Sequence, residues 1–293
     1  MKTLINEMMR QVLKDFRASL DGLDRFCELR EVTFTSDHSP DYSSRIQQQL
    51  YMLRYFPAYL AEYYFIYGEL LDAGFLPLPL RVLSIGCGCG VDYYGLHLAA
   101  RDRGIMPAAS MQYHGLDRVA WNYQTTLKNP AVCYCTINPG KGYIRHRGWN
   151  VYSFPKSIGE LAWRDLRGIE FDIITRPSAP PRMCLVSSLG RNGAGEDDRL
   201  RDVVDAMTRA QGYTVVGDSS GVKRPGFRHL RNIANGFHVP DEVREILTNL
   251  RDRCPRRQSG CPDSSSRCDL LNWKPMEWSK YISYQIVYLE KES

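Results

Sequence analysis

The stretch Arg81-Val-Leu-Ser-Ile-Gly-Cys-Gly-Cys-Gly-Val-Asp92 constrains the fold more than any other part of the chain. Val82, Leu83 and Ile85 make a short apolar run that reads as a buried strand. Three glycines follow at alternate positions, Gly86, Gly88 and Gly90, and a helix-like segment from Tyr93 to Arg101 comes after them. Strand, glycine turn and helix in that order let an α/β domain lay its backbone against a nucleotide-like ligand. A Cβ would obstruct that approach, and some turn positions need a positive φ that glycine adopts without strain.

From Leu80 onward, strand-like and helix-like segments alternate. Strands are expected near 81–86, 111–117, 132–137, 150–154, 182–188, 213–217 and 281–289, with helices near 91–103, 121–127, 158–166 and 198–210. This alternation predicts an α/β fold with a doubly wound, mainly parallel sheet. Two helical regions precede it, 1–30 and roughly 43–73. The second carries Tyr51, Tyr55, Phe56, Tyr59, Tyr63, Tyr64, Phe65 and Tyr67, and Pro57 is expected to kink or split it. Aromatics at three- and four-residue steps read as core, with a lid role for Tyr59 and Tyr63 as the alternative.

The G-x-G-x-G turn departs from the dinucleotide pattern G-x-G-x-x-G and resembles the first motif of the class I S-adenosylmethionine (SAM)-dependent methyltransferases. The resemblance covers roughly residues 80–218 and 280–290. It implies a Rossmann-like seven-stranded sheet whose long last strand is antiparallel. It also implies a SAM site in which the turn holds the amino-acid end and an acid closing the second strand holds the ribose. Asp117, ending Tyr113-His-Gly-Leu-Asp117, matches that acid. Where the family often has an acid two residues before the first glycine, this chain has Ser84, and Asp92 is the candidate to share that role. The expected cofactor-binding set is therefore Ser84, Gly86, Cys87, Gly88, Gly90, Asp92, Asp117 and Phe154. Two other readings of the turn stand beside this one: a nicotinamide or other nucleotide site, and a purely structural turn.

The loop after the fourth strand, Phe154-Pro-Lys-Ser157, lies where such enzymes face the transferred methyl group. It lacks the D/N-P-P-Y/F pattern of amino- and base-directed enzymes. Phe154 or Tyr152 suits a cation–aromatic contact with the sulfonium. Tyr152 and Lys156 are the catalytic candidates, with a depressed pKa required if Lys156 is to act as a base. The alternative makes Pro155 and Ser157 a helix start and Lys156 a solvated cation.

Residues 1–79 read as an N-terminal helical cap, 80–218 with 280–293 as the core, and 219–279 as an insertion before the last strand. The insertion carries Cys254, Cys261 and Cys268 at equal seven-residue intervals in a polar stretch. Thiolates gathered in such a loop suit a structural zinc ion, with His229, His238 or another cysteine as fourth ligand. Free or redox-variable thiols, a disulfide and an iron–sulfur cluster are the other readings. The same segment holds Arg251, Arg253, Arg256, Arg257 and Arg267. They suit either a phosphate backbone or a solvated face.

With 293 residues, 43% hydrophobic and 24% charged, the chain has the make-up of a globular protein. No apolar run approaches the ~18 residues that span a bilayer. Glu7 and Arg10 interrupt the start, so no signal peptide and no membrane partner are expected, and the cytoplasm is the default compartment. The net charge of +5 permits nucleic acid without requiring it. Three functions follow: a SAM-dependent methyltransferase with a small-molecule acceptor, one acting on RNA or DNA, or a non-catalytic binding or scaffold protein of the same fold.

Overall fold

Strand β1, Leu80–Ile85, is the axis of the molecule's sheet. It pairs in parallel with β2, Met111–Asp117, on one side and with β4, Val151–Pro155, on the other. The computed structural model describes residues 2–31, 42–137, 148–174, 180–189, 196–216, 228–229, 238–258, 266–277 and 281–291. The remaining strands are β3 (Val132–Thr136), β5 (Arg182–Leu189), β6 (Tyr213–Val216), β7 (Arg228–His229) and β8 (Tyr281–Lys291). The described helices are α1 (Lys2–Leu20), α2 (Arg45–Asp72), α3 (Val91–Asp102), α4 (Pro107–Ser110), α5 (Trp163–Ile174), α6 (Glu196–Gln211), α7 (Asp241–Thr248) and α8 (Pro255–Gln258).

The main sheet runs β3-β2-β1-β4-β5-β8-β6, and the two-residue β7 pairs with β8. The first five strands of this order are mutually parallel, while β8 is antiparallel to both β5 and β6. This is the expected Rossmann-like seven-stranded α/β sheet.

Side-chain alternation divides its two faces. Leu83, Ile85, Tyr152, Phe154, Met183 and Leu185 share one core with Leu166, Ile169 and Ile173 of α5 and Leu200, Val203, Val204 and Met207 of α6. Ser84, Ser153 and Ser188 take the alternate positions. There Tyr63 of α2 hydrogen-bonds Ser188 at 2.5 Å, and Tyr93 of α3 packs on Tyr113 at 4.9 Å. Helices on both faces make the sheet doubly wound. A one-residue slip of β4 would exchange Tyr152 and Phe154 for Val151 and Ser153 in the core, so burial fixes the register. Each fully buried large apolar side chain contributes about 1.5–3 kcal/mol to that preference.

The chain divides into two compact units. One comprises residues 1–61, 121–123 and 230–279; the other comprises 62–120, 124–229 and 280–293.

In the first unit, α2 continues through Pro57 as one helix, so the expected split does not occur. Proline removes one helical N–H and obstructs the ladder. The rung between Arg54 and Ala58 is opened as well, and Met276 fills it. The Met276 N–H donates to the Arg54 carbonyl at 2.7 Å, and the Ala58 N–H donates to the Met276 carbonyl at 3.1 Å. Arg54 itself is fully buried and donates from Nη2 to the carbonyls of Leu270 and Leu271, both at 3.2 Å. Burial brings its pKa down to about 10, which leaves it charged at neutral pH.

Candidate functional site

At the carboxyl end of β1 the chain turns through Gly86, Gly88 and Gly90, with φ of 73°, 55° and 78°. These left-handed values are the reason for the glycines. The turn is fastened to the end of β2: the N–H groups of Gly86 and Cys87 both donate to the Leu116 carbonyl, at 2.8 and 3.0 Å. The Gly88 N–H donates to Asp117 Oδ2 at 2.7 Å, while Asp117 Oδ1 accepts from the Val119 N–H at 3.0 Å. Gln124 Nε2 donates to the Gly88 carbonyl at 2.9 Å. The acid that the sequence pairs with this turn is thus in direct contact with it, half-buried at the strand end.

Two of the glycines also make room for neighbouring side chains. Ser157 sits where a Gly86 Cβ would be, and its hydroxyl donates to the Ile85 carbonyl. A Cβ on Gly90 would lie 2.5 Å from the Tyr134 hydroxyl oxygen. That hydroxyl donates to the Thr125 carbonyl at 2.8 Å. Cys87 and Cys89 are buried, and burial raises both thiol pKa values, so these thiols are held protonated.

Ser84 and Asp92 lie beneath the turn with no exposed surface. Asp92 Oδ1 accepts from the Tyr113 hydroxyl at 2.7 Å, and Oδ2 accepts from Tyr67 at 3.4 Å. Burial pushes its carboxyl up to about 6, against neighbours that favour the charge: Ser84, Tyr113 and the backbone N–H groups of Tyr93 and Asp92. An unfolded aspartate titrates near 3.9. Between those values the folded protein keeps a proton that the unfolded chain has lost. Stability from this group is therefore present at low pH and falls as pH rises through that window. The gap corresponds to about 3 kcal/mol. Wild type is expected to lose roughly that much stability relative to Asp92→Asn between pH 4 and 7; parallel denaturation midpoints across the range would refute it.

The loop after β4 differs from its sequence reading. Tyr152 and Phe154 are both fully buried in the core with α5 and α6, so in this conformation neither presents an atom to a ligand. Period-two alternation sends them to that face, while Val151 and Ser153 take the other. Helix α5 begins at Trp163, not near Ile158, because Ser157 is spent on Ile85 and a tight turn follows. Arg199 of α6 fastens that turn, donating to the carbonyls of Ile158 (2.9 Å), Gly159 (3.1 Å) and Leu161. Lys156 has a φ of 54°, strained for any residue but glycine, and its Nζ lies 2.7 Å from Glu62 Oε2. Glu62 is only 4% exposed at its side chain, so this ion pair is largely withdrawn from water. Tyr63, a lid candidate, is core; Tyr59 is half-buried.

Cys254 is a buried free thiol and Cys268 lies in the segment Ser266–Leu271, while Cys261 lies outside the described residues, as does the side chain of His229. His238 Nδ1 lies 3.4 Å from Glu277. Among the described residues no group of three or more His, Cys, Asp or Glu is placed to hold a metal ion. Three of the insertion's arginines are paired: Arg251 with Asp269, Arg253 with Glu245 at 3.3 Å, and Arg257 with Asp252 at 3.3 Å. No helix among the described residues is long and apolar enough to cross a membrane.

No protein-family model matches the chain, and no curated protein matches it. Solved structures do resemble it. A SAM-dependent methyltransferase from Geobacter sulfurreducens in complex with S-adenosyl-L-homocysteine is 16% identical, over 79% of this chain and 91% of that one, with a TM-score of 0.38. The YcgJ protein from Bacillus subtilis is 13% identical over 78% and 98% of the two chains, at 0.40. A TehB-like SAM-dependent methyltransferase from Corynebacterium glutamicum is 12% identical over 77% and 87%, at 0.37. Likenesses this slight carry no argument. The Rossmann-like fold class stands on the strand order, the direction of β8 and the glycine turn.

Proposed function

We propose that this protein binds SAM at the Gly86–Gly90 turn and transfers its methyl group to a small-molecule acceptor. The observation that carries the reading is the contact of Asp117 with the Gly88 N–H at the carboxyl ends of two parallel strands. Ligands of open α/β sheets bind beyond those ends. The donor set suits the cofactor: a carboxylate offers roughly four acceptor sites, enough to hold backbone N–H groups and a ribose hydroxyl together.

Bound SAM supplies a methyl carbon already activated by its sulfonium. The protein's task is then to position the reactants rather than to generate a strong base. Gly88 admits the ligand to the backbone, Gly86 makes room for the Ser157 that braces the turn, and Asp117 accepts from the ribose. Ser84, Cys87, Gly90, Asp92 and Phe154 are buried and act by shaping and bracing the turn. Lys156, pinned by Glu62, is the residue proposed to face the acceptor as a fixed cation. A small-molecule acceptor is preferred to nucleic acid because Arg251, Arg253 and Arg257 already face carboxylates.

A binding-only role is the second reading, favoured by the neutral Ser84 and by an Asp92 whose oxygens are taken by tyrosines. Calorimetry with SAM and with S-adenosylhomocysteine tests the proposal. Saturable heat from both is expected, and absence of heat from either would end it.

A further inference from the structure

In the first unit five aromatic rings meet on one stripe of α2. Tyr51 is the hub, with ring centroids 5.1 Å from Tyr42, 5.4 Å from Trp121, 5.4 Å from Tyr55 and 6.2 Å from Tyr59. Tyr42 also lies 5.1 Å from Trp121, and Tyr55 stacks on Tyr59 at 5.8 Å with 12° between the planes. Tyr55 is buried; the other four are half-buried.

Buried amides hold this arrangement. Gln48, with no exposed surface, donates to the Tyr42 carbonyl at 2.8 Å and accepts from Asn122 N–H and Nδ2 at 3.0 and 2.8 Å. One side chain thereby pins both the Tyr42 and the Trp121 segments against α2. Gln49, equally buried, donates to the Tyr123 hydroxyl oxygen at 3.0 Å, and Tyr123 donates to Asp15 at 3.0 Å. That chain fixes the orientation of the Gln49 amide. Beside these rings the indole N–H of Trp121 and Gln49 Oε1 are buried without a hydrogen-bond partner among the described residues. Leaving such a group unpaired is costly, and a ligand that satisfies it recovers the loss.

We propose that Tyr42, Tyr51, Tyr55, Tyr59 and Trp121 form a binding site for a flat heteroaromatic ring bearing a hydrogen-bond acceptor. The half-buried rings supply stacking surface, and the Trp121 N–H supplies a donor. That donor has nothing to offer an organic cation, which selects a neutral ring over an ammonium. The ring comes either from a free heterocycle or from a base of a single-stranded nucleic acid. The inference stands apart from the cofactor reading, since every residue it uses lies in the other unit.

The test titrates the full chain with quinazolin-4-one, a fused ring with a carbonyl acceptor, and separately with a single-stranded oligoadenylate, using ligand-observed NMR. Saturable binding of at least one probe is expected, weakened about five-fold or more by Trp121→Phe, which keeps the ring and removes the N–H. Tyr51→Leu should weaken it about ten-fold or more. Tyr59→Leu, away from the hub, serves if Tyr51→Leu does not fold. A preference for the oligomer with steep salt dependence assigns the ring to a strand; salt-insensitive binding of quinazolin-4-one alone assigns it to a small molecule. No binding of either probe overturns the proposal, as does binding unchanged in both Trp121→Phe and Tyr59→Leu, or binding of tetramethylammonium alone.

Discussion

Gly95→Val is expected to destabilise the protein by about 3 kcal/mol or more, measured by denaturant unfolding. A Cβ at this position of α3 would lie 2.5 Å from Tyr63 Cβ and 2.7 Å from both the Tyr63 carbonyl carbon and the Tyr64 nitrogen. Two of those atoms are backbone, so relief requires one helix to move from the other. Helix propensity runs the opposite way, since alanine is worth about 1 kcal/mol more than glycine in a helix interior. Even Gly95→Ala should therefore lose stability. Gly68 is the control. Its Cβ would meet the guanidinium end of Arg103, the nearest atom at 2.8 Å, and a flexible side chain can yield. Gly68→Ala should come out close to neutral. Equal stabilities for wild type and Gly95→Val would mean that the two helices do not cross this closely.

Asp117→Ala is expected to raise the dissociation constant for SAM roughly 10- to 150-fold, the equivalent of about 1.5–3 kcal/mol for hydrogen bonds to a charged group. The carboxylate has two tasks, bracing the Gly88 and Val119 N–H groups and accepting from the ribose. Asp117→Asn separates them, because the amide retains one oxygen for the turn but loses the charge. A moderate loss in Asn and a larger one in Ala fits both tasks together. Calorimetric constants equal to wild type in both variants would move the ribose contact elsewhere.

The sheet was legible because punctuation and burial agree. Every main strand falls within a residue or two of its expected limits, since Gly, Pro and polar breakers bound short apolar runs. Helix limits were harder where side chains divert the backbone. The helix expected over 121–127 is absent: Asn122 is held by Gln48, and Leu127 and Lys128 adopt φ of 47° and 61°, which no right-handed helix allows. The turn and Asp117 were visible as spacing. The burial of Tyr152 and Phe154 was not, because an apolar run with polar neighbours does not say which face of a two-sided sheet a residue takes. The Lys156–Glu62 pair joins residues far apart in sequence, and nothing local signals it.

The passage of Met276 between Arg54 and Ala58 has a bearing on the order in which the chain is made. A ribosome releases Pro57 long before it reaches position 276. Until then the helix around the proline has two backbone groups with only water for company. That helix therefore finishes its architecture with material delivered much later in synthesis, and a nascent chain halted short of Met276 should hold it only loosely.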